Sequence, residues 1–404
     1  MQQSAIHKHL AFRRRSTRRP PRQASRPESI PRALAGRMDL PFLLLTILLT
    51  VLGLVMLFSA SFPSASYKQG DPAYFLKRQA IFALLGMAAM VVMSRMDYHR
   101  LRGMAKILMY VSIFLLVLVL VPGVGIKENG ATRWLGKVGV LTFQPSEIAK
   151  LAIIVYFADS ISKKKNLMES FKYGVRPYIL TLAFFSGLML LEPHLSGTIL
   201  IVGTGVVLMI VGGIDKRWAI GGIGSVAALG FTYVKLVEAG VISYGADRIR
   251  MWEDPWIDAL DEGYQMCQSL IAIGSGGLTG VGLGKGRQKF LYLPEEHNDF
   301  IFVCEELGLI GAALVMLIFA LLILRGFWVA LQARDRFGAL LVVGIMTQIS
   351  LQTFLNIAVV SGLVPATGIS LPFFSYGGTA LALQLFEMGI VLSVSRQIPA
   401  PRGG

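Results

Sequence analysis

A chain of 404 residues that is 54% hydrophobic and only 16% charged cannot close over a soluble core, and its expected fold class is an all-α polytopic integral membrane protein. The net charge of +15 would suit a nucleic-acid partner, yet residues 1–38 hold ten Lys and Arg against Glu28 alone, so the basicity is local and no nucleic acid is expected. Two cysteines, Cys267 and Cys304, match no metal or redox spacing and receive no role.

In chain order, residues 1–38 read as a disordered basic arm: Arg13, Arg14, Arg15, Arg18 and Arg19 are followed by Pro20 and Pro21, with no apolar core before Leu40. The first apolar stretch runs on as a full span, so an uncleaved anchor is expected rather than a signal peptide. Charge-poor windows of about 17–25 residues then predict ten spans, centred on 40–60, 79–95, 105–123, 145–161, 176–192, 196–214, 217–236, 299–324, 337–358 and 371–395. With both termini in the cytoplasm, every cytoplasmic connection carries Lys or Arg, as the positive-inside rule asks: Arg95 to Lys106, Lys163 to Arg176, Lys216 and Arg217, and Arg325 to Arg336. The organisation predicted is a tail at 1–38, a membrane domain at 39–397 containing one large extracytoplasmic loop at 237–298 between spans 7 and 8, and a short cytoplasmic tail at 398–404.

Ionisable residues at the edge of hydrocarbon are the candidates for chemistry. The first group precedes and enters the fourth span: Asn129 to Gly136, with Arg133, then Phe143 to Lys150. Pro145, Ser146 and Glu147 read as a helix start with Ser as a cap, and Lys150 follows Glu147 at the i, i+3 spacing that lets them pair. The fifth and sixth spans meet in Leu191 to Thr198, a break containing Glu192 and His194, where His194 reads equally as a satisfied buried polar residue or a functional one.

In the loop 237–298, Trp252, Trp256 and the apolar run Met266 to Ile273 predict an amphipathic or surface-seated helix. The glycine cluster Gly274 to Gly286 lacks the flanking pattern of a nucleotide loop. It reads either as a turn whose amides approach a lipid-linked pyrophosphate or as a plain re-entrant turn. Next, Leu291 to Gly308 places His297, Asp299, Glu305 and Glu306 at and inside the start of span 8. Asp299 reads evenly as an extracytoplasmic helix cap or a base, while Glu305 and Glu306, about two turns deeper, read as pairing residues. Residues 337–386 carry no charge, and their polar Gln348, Gln352 and Asn356 read as helix-packing groups.

The motifs N-G-A-T-R-W, F-Q-P-S-E-I-A-K, D-E-G-Y-Q-M-C-Q-S, G-V-G-L-G-K-G, L-P-E-E-H-N-D-F-I-F-V-C-E-E-L-G and P-A-T-G-I-S-L-P-F-F-S-Y-G-G, in this order across about residues 40–397, resemble the shape, elongation, division and sporulation (SEDS) family, the FtsW/RodA-like proteins. The resemblance implies a bacterial peptidoglycan glycosyltransferase in the plasma membrane. Such an enzyme polymerises lipid II at the outer face and works with a cognate class B penicillin-binding transpeptidase and other divisome or elongasome membrane proteins. Carried over by position, the family's essential acid falls on Asp299, its polar pair on Glu147 and Lys150, and its loop arginine on Arg133. Where the family commonly reads Q-P-D-L-G-T, this chain has E-P-H-L-S-G-T, so the acid there is replaced by His194, with Glu192 as a stand-in.

The reaction needs a base for the acceptor hydroxyl, cations for the departing diphosphate and a groove open to the bilayer. Asp299 is the expected base. Arg133, Glu147, Lys150, Lys285, Arg287, Lys289 and His297 are the expected substrate-binding residues, with the basic ones facing diphosphate oxygens. A divalent cation, magnesium or manganese, held by Asp299 or Glu147 is a candidate cofactor, and no organic cofactor is expected. Displacement at the anomeric carbon would invert it without a covalent enzyme intermediate. Two other classes share much of this pattern: a flippase or transporter of lipid-linked precursors, and a non-catalytic scaffold for a transpeptidase. Polar groups crowded at the outer mouth rather than at mid-membrane favour the enzyme. The Trp252 to Trp256 run and the basic arm lean towards division or sporulation over elongation.

Overall fold

The computed structural model describes residues 36–128, 131–137, 141–239, 246–261, 263–290 and 299–398. Each of the ten predicted windows coincides with a helix: α1 (Leu40–Gln69), α2 (Tyr74–Arg95), α3 (Arg100–Leu120), α4 (Pro145–Lys164), α5 (Arg176–Leu191), α6 (Leu195–Val211), α7 (Lys216–Glu238), α10 (Asp299–Gln332), α11 (Arg336–Val360) and α12 (Gly378–Ser395). Two more, α8 (Ala246–Glu253) and α9 (Tyr264–Gly276), lie in the predicted long loop, and α9 contains the apolar run Met266 to Ile273. Among the described residues, seven helical stretches are long and apolar enough to cross a membrane: α1, α2, α3, Phe171–Leu191, and the bulk of α10, α11 and α12. Of the other three, α6 is apolar but shorter, while α4 is diluted by Glu147, Lys150 and Asp159. The architecture is that of a multi-pass membrane protein.

Helices α11 and α12 form the centre of the bundle, with Leu340 to Ile349 of α11 almost wholly buried. Helix α2 lies along α12 so closely that a Cβ on Gly86 would meet Ala382 Cα at 2.8 Å, and one on Gly389 would meet Met90 O at 2.7 Å. Small residues at such crossings let backbones approach where water supplies no hydrophobic drive.

Ion pairs and hydrogen bonds fix which helix ends lie together. Asp39 caps α1 through Phe42 N (3.0 Å) and receives Arg325, late in α10, at 2.9 Å; its amide donates to Ser395, the last residue of α12, at 3.2 Å. At the other end, Thr379 at the start of α12 donates to Thr142 O (3.2 Å), just before α4. Antiparallel packing therefore puts the starts of α4, α10 and α12 at one end of the bundle. The opposite end collects the start of α1 and the ends of α2, α10 and α12.

Two expectations need correction. The chain is not purely helical: β1 (Ile126–Glu128), β2 (Ala131–Lys137) and β3 (Leu141–Phe143) make a three-stranded antiparallel sheet in the order β1-β2-β3, leading directly into α4. The last span does not begin at 371, because residues 371–377 form a turn. Leu371 N donates to Ser375 Oγ (2.8 Å), Phe373 N to Gln384 Oε1 (3.1 Å) and Gly377 N to Gln79 Oε1 (3.2 Å), so side chains of the turn, of α12 and of α2 replace the missing helical bonds.

Candidate functional site

Helix α4 starts at Pro145 without a side-chain cap, since Gln144 occupies the cap position and Ser146 already lies inside. The Ser cap expected from sequence is therefore absent. Instead Ser146 Oγ (3.2 Å) and Gln144 Nε2 (3.1 Å) both point at His194 Nε2. Two donors make that nitrogen the acceptor and leave the ring proton on Nδ1, which has no partner among the described residues. His194 thus joins the α5–α6 break to the first turn of α4.

One turn further, Lys150 Nζ lies 2.8 Å from Glu147 Oε1, with the lysine side chain 4% exposed and the glutamate 13%. The i, i+3 spacing read from the sequence brings them together. Glu147 stands in the first turn, where the positive end of the helix favours a carboxylate. It also lines a cavity of about 470 Å3 between α2, α4 and α12, whose walls include Phe82, Leu85, Ile148 and Phe386. Leu85 is largely exposed on the outer surface of α2, so this cavity opens sideways towards lipid.

Arg133, on β2, donates its Nε to Glu192 O (3.4 Å) and a second guanidinium nitrogen to Pro193 O. It caps the carbonyl end of α5, a favourable place for a cation. The Glu192 carboxyl is buried, and neither of its oxygens has a hydrogen-bond partner among the described residues.

Asp299 is the first residue of α10, at the same end of the bundle as Glu147. Its side chain and His297 lie outside the described residues. Further along, helix α10 is interrupted at Gly308 (φ +67), and the glycine loop after α9 inserts into the break. Leu309 N donates to Gly277 O (2.9 Å) and Ile310 N to Leu278 O (3.1 Å), while Glu305 O and Glu306 O accept from Val281 N and Gly282 N, both at 3.0 Å. A Cβ on Gly308 would stand 2.3 Å from Gly280 N, so this contact requires glycine.

The two carboxylates complete the clasp. Glu305 Oε1 accepts from Arg287 N (2.6 Å) and Gln288 N (3.3 Å). Glu306 accepts from Gly284 N (3.0 Å), from Ser59 Oγ of α1 (2.6 Å) and from Lys289 Nζ (2.5 Å). Pairing, as expected, is what these acids do. The glycine cluster forms a turn, one of its two sequence readings: its amides are committed to the chain's own carbonyls and, at Gly284, to the Glu306 carboxylate. Lys289, 2% exposed at its side chain, directs its ammonium to Glu306 and Ser59. Lys285 and Arg287 stay exposed on the loop.

Sequence reasoning missed Glu387, in the middle of α12 and 1% exposed. Gln348 of α11 reaches it at 3.5 Å, and it lies within electrostatic reach of Lys150 and Glu147. A lone acid inside an apolar span was the available signal. It stands one residue past the charge-free stretch. Gln352 and Asn356 donate to Ser370 O (3.1 Å) and Ile369 O (2.6 Å), pinning the irregular segment before α12 to α11.

The fold and site define a helical membrane protein with paired charges at one end of the bundle, beside a lateral opening to lipid. Residues 39–399 match the cell cycle protein family of FtsW, RodA and SpoVE, and the chain belongs to that family. It is 42% identical to a probable peptidoglycan glycosyltransferase FtsW of Geobacter metallireducens, over 90% of this chain and 96% of the relative. It is 44% identical to stage V sporulation protein E of Bacillus subtilis, over 89% of this chain and 97% of that one. Among solved structures it is similar to a chain from a peptidoglycan synthase complex that coordinates polymerization and crosslinking (TM-score 0.73, 28% identity, 89% of this chain and 98% of that chain). It is also similar to the rod shape determining protein RodA of Thermus thermophilus (TM-score 0.65, 28% identity, 89% and 97% covered).

Proposed function

We propose that the chain is a peptidoglycan glycosyltransferase that polymerises lipid II at the outer face of the bacterial plasma membrane, in division or sporulation. The observation that carries this reading is the buried Glu147–Lys150 pair at the wall of a cavity open to lipid, at the same end of the bundle as Asp299. In the topology we favour, all ten predicted helices span, both termini are cytoplasmic and this end faces outward, so a lipid-borne sugar reaches it without crossing the bilayer.

Asp299 takes the proton of the acceptor hydroxyl as its oxygen attacks the anomeric carbon of the donor. The bond to diphosphate breaks on the opposite face and the configuration inverts. Lys150 and Arg133 offset the charge that grows on the diphosphate, with Lys285 and Arg287 reaching it from the loop and His297 beside the base. Glu147 holds Lys150 in place.

No three ligating side chains cluster among the described residues to fit a metal ion by themselves. A magnesium or manganese ion arriving with the diphosphate fits, with Glu147 or Asp299 adding a carboxylate oxygen to those of the substrate and water. That ion would neutralise the leaving group. The partner fitting this role is a class B penicillin-binding transpeptidase among other divisome or elongasome proteins, in keeping with the synthase complex similar in structure.

The test is direct. Purified chain, with a transpeptidase partner, lipid II and a divalent cation, is expected to make glycan strands. Transport of lipid II across vesicles without any polymer would replace the enzyme reading by the flippase one.

A further inference from the structure

At the end of the bundle opposite Asp299, three arginines from three elements converge on one cavity of about 450 Å3. Arg37 precedes α1, Arg95 is the last residue of α2 and Arg396 follows α12. The wall beneath them is apolar, formed by Leu43, Met90 and Leu392.

Among the described residues these charges lack counter-charges. Among the described residues Arg37 and Arg95 have no acidic partner, and Arg396 reaches only Ser94 O, at 3.5 Å. The nearest acids in sequence are already engaged. Asp39 is gripped by Arg325 at 2.9 Å, and Asp97 accepts from His99 N (3.0 Å) and Gln397 (3.0 Å). Like charges so placed repel one another unless an anion joins them.

The surroundings say which anion. On either side the helices show lipid-facing surface: Leu40 and Leu44 on α1, Val91 and Val92 on α2 are all exposed. A basic mouth over an apolar wall open to hydrocarbon matches an amphiphile with an anionic head, and a free phosphate would leave the wall unused. Basic pockets between membrane helices at the Lys- and Arg-rich side are a recurring form of headgroup site.

We propose that Arg37, Arg95 and Arg396 bind the headgroup phosphate of one anionic phospholipid, whose acyl chain lies along α1, α2 and α12. Occupancy ties together the ends of three helices, two of which also wall the cavity beside Glu147. The inference stands apart from the catalytic reading, since no residue is shared.

Native mass spectrometry of the full chain, extracted in mild detergent and titrated with phosphatidylglycerol, phosphatidylcholine or undecaprenyl pyrophosphate, tests it. Wild type should retain one phosphatidylglycerol in preference to phosphatidylcholine, with a matching rise in unfolding temperature. Single Arg→Gln changes should weaken retention about five-fold each, and R37Q/R95Q/R396Q on the order of 100-fold. The lysine counterpart, R37K/R95K/R396K, should keep most of the preference for an anionic lipid. If the triple glutamine variant does not fold, the R95Q single variant, at an exposed position, carries the measurement. Equal retention of phosphatidylcholine, undiminished retention by the glutamine variants, or selective binding of undecaprenyl pyrophosphate would each overturn the proposal.

Discussion

Two buried ion pairs at the same end of this bundle are built in opposite ways. Around Glu306, every strong partner comes from the chain itself: the Lys289 ammonium, the Ser59 hydroxyl and the Gly284 amide. Around Lys150, Glu147 is the sole ionic or hydrogen-bonding partner among the described residues, and His194, its Nδ1 left over, and Glu387 lie within electrostatic reach. A satisfied buried charge network rigidifies, whereas buried polar groups left over need an explanation, and a ligand is the usual one. The comparison assigns the first region to holding α10 in position behind Asp299 and the second to meeting substrate.

The comparison breaks most readily at Glu306. Glu306→Ala strands the Lys289 ammonium, and unfolding of the purified protein should be easier by about 3–5 kcal/mol, a loss of folded protein with or without substrate. If the variant stays as stable as wild type, the clasp is not structural. Lys150→Met sharpens the other side. It should lower lipid II turnover by about 10²–10³-fold while the unfolding temperature moves little, and a change confined to stability would make the pair structural as well. Gly308→Ala should cost about 1–2 kcal/mol for its positive φ, more if Gly280 does not yield, read as a lower unfolding temperature.

A smaller effect is expected at the far end, where His99 lies between Asp97 (Nδ1 to Oδ1, 2.7 Å) and Asp335 (Nε2 to Oδ2, 3.0 Å). The Asp335 hydrogen bond raises the imidazole above its ordinary 6.5, against its burial and helped by Asp97. Burial alone would raise Asp335, but His99, the Gly338 amide and Tyr98 outweigh it and hold the carboxyl at about 2. A raised histidine stabilises fully below the unfolded pKa and loses that contribution as pH rises through the folded one. A depressed aspartate stabilises above its unfolded value and loses that contribution as pH falls through about 2. Their joint contribution is complete from about pH 4 to 6.5. Stability should therefore decline as pH rises above about 6.5 through the folded pKa of His99, and His99→Gln should flatten that slope. An unchanged slope would remove the link between α3 and α11 from the account. Deleting residues 1–36 should leave polymerisation intact.

Much of this was legible in the sequence because hydrophobic windows are local: each of the ten stretches contains a helix, the last only from Gly378 onward. The Glu147–Lys150 pair was legible for the same reason, being set by helical spacing. What stayed hidden is non-local. The short strands Ile126–Glu128 and Leu141–Phe143 are too brief to show alternation. The turn at 371–377 read as helix because its residues are apolar, while its hydrogen bonds come from the side chains of Gln79 on α2 and Gln384 further along α12. The pairing of Lys289 with Glu306 stayed hidden because the sequence does not say which carboxylate a lysine meets. The glycine cluster left two readings open because its partners lie on the far side of a helix break.

The most direct test compares wild type with Asp299→Asn, both purified in folded form with the transpeptidase partner and given lipid II. The account predicts that the variant keeps the wild-type unfolding temperature and loses about 10²–10⁴-fold in polymer formation, the range for removal of a general base. Glycan strands made at the wild-type rate by the variant would contradict it.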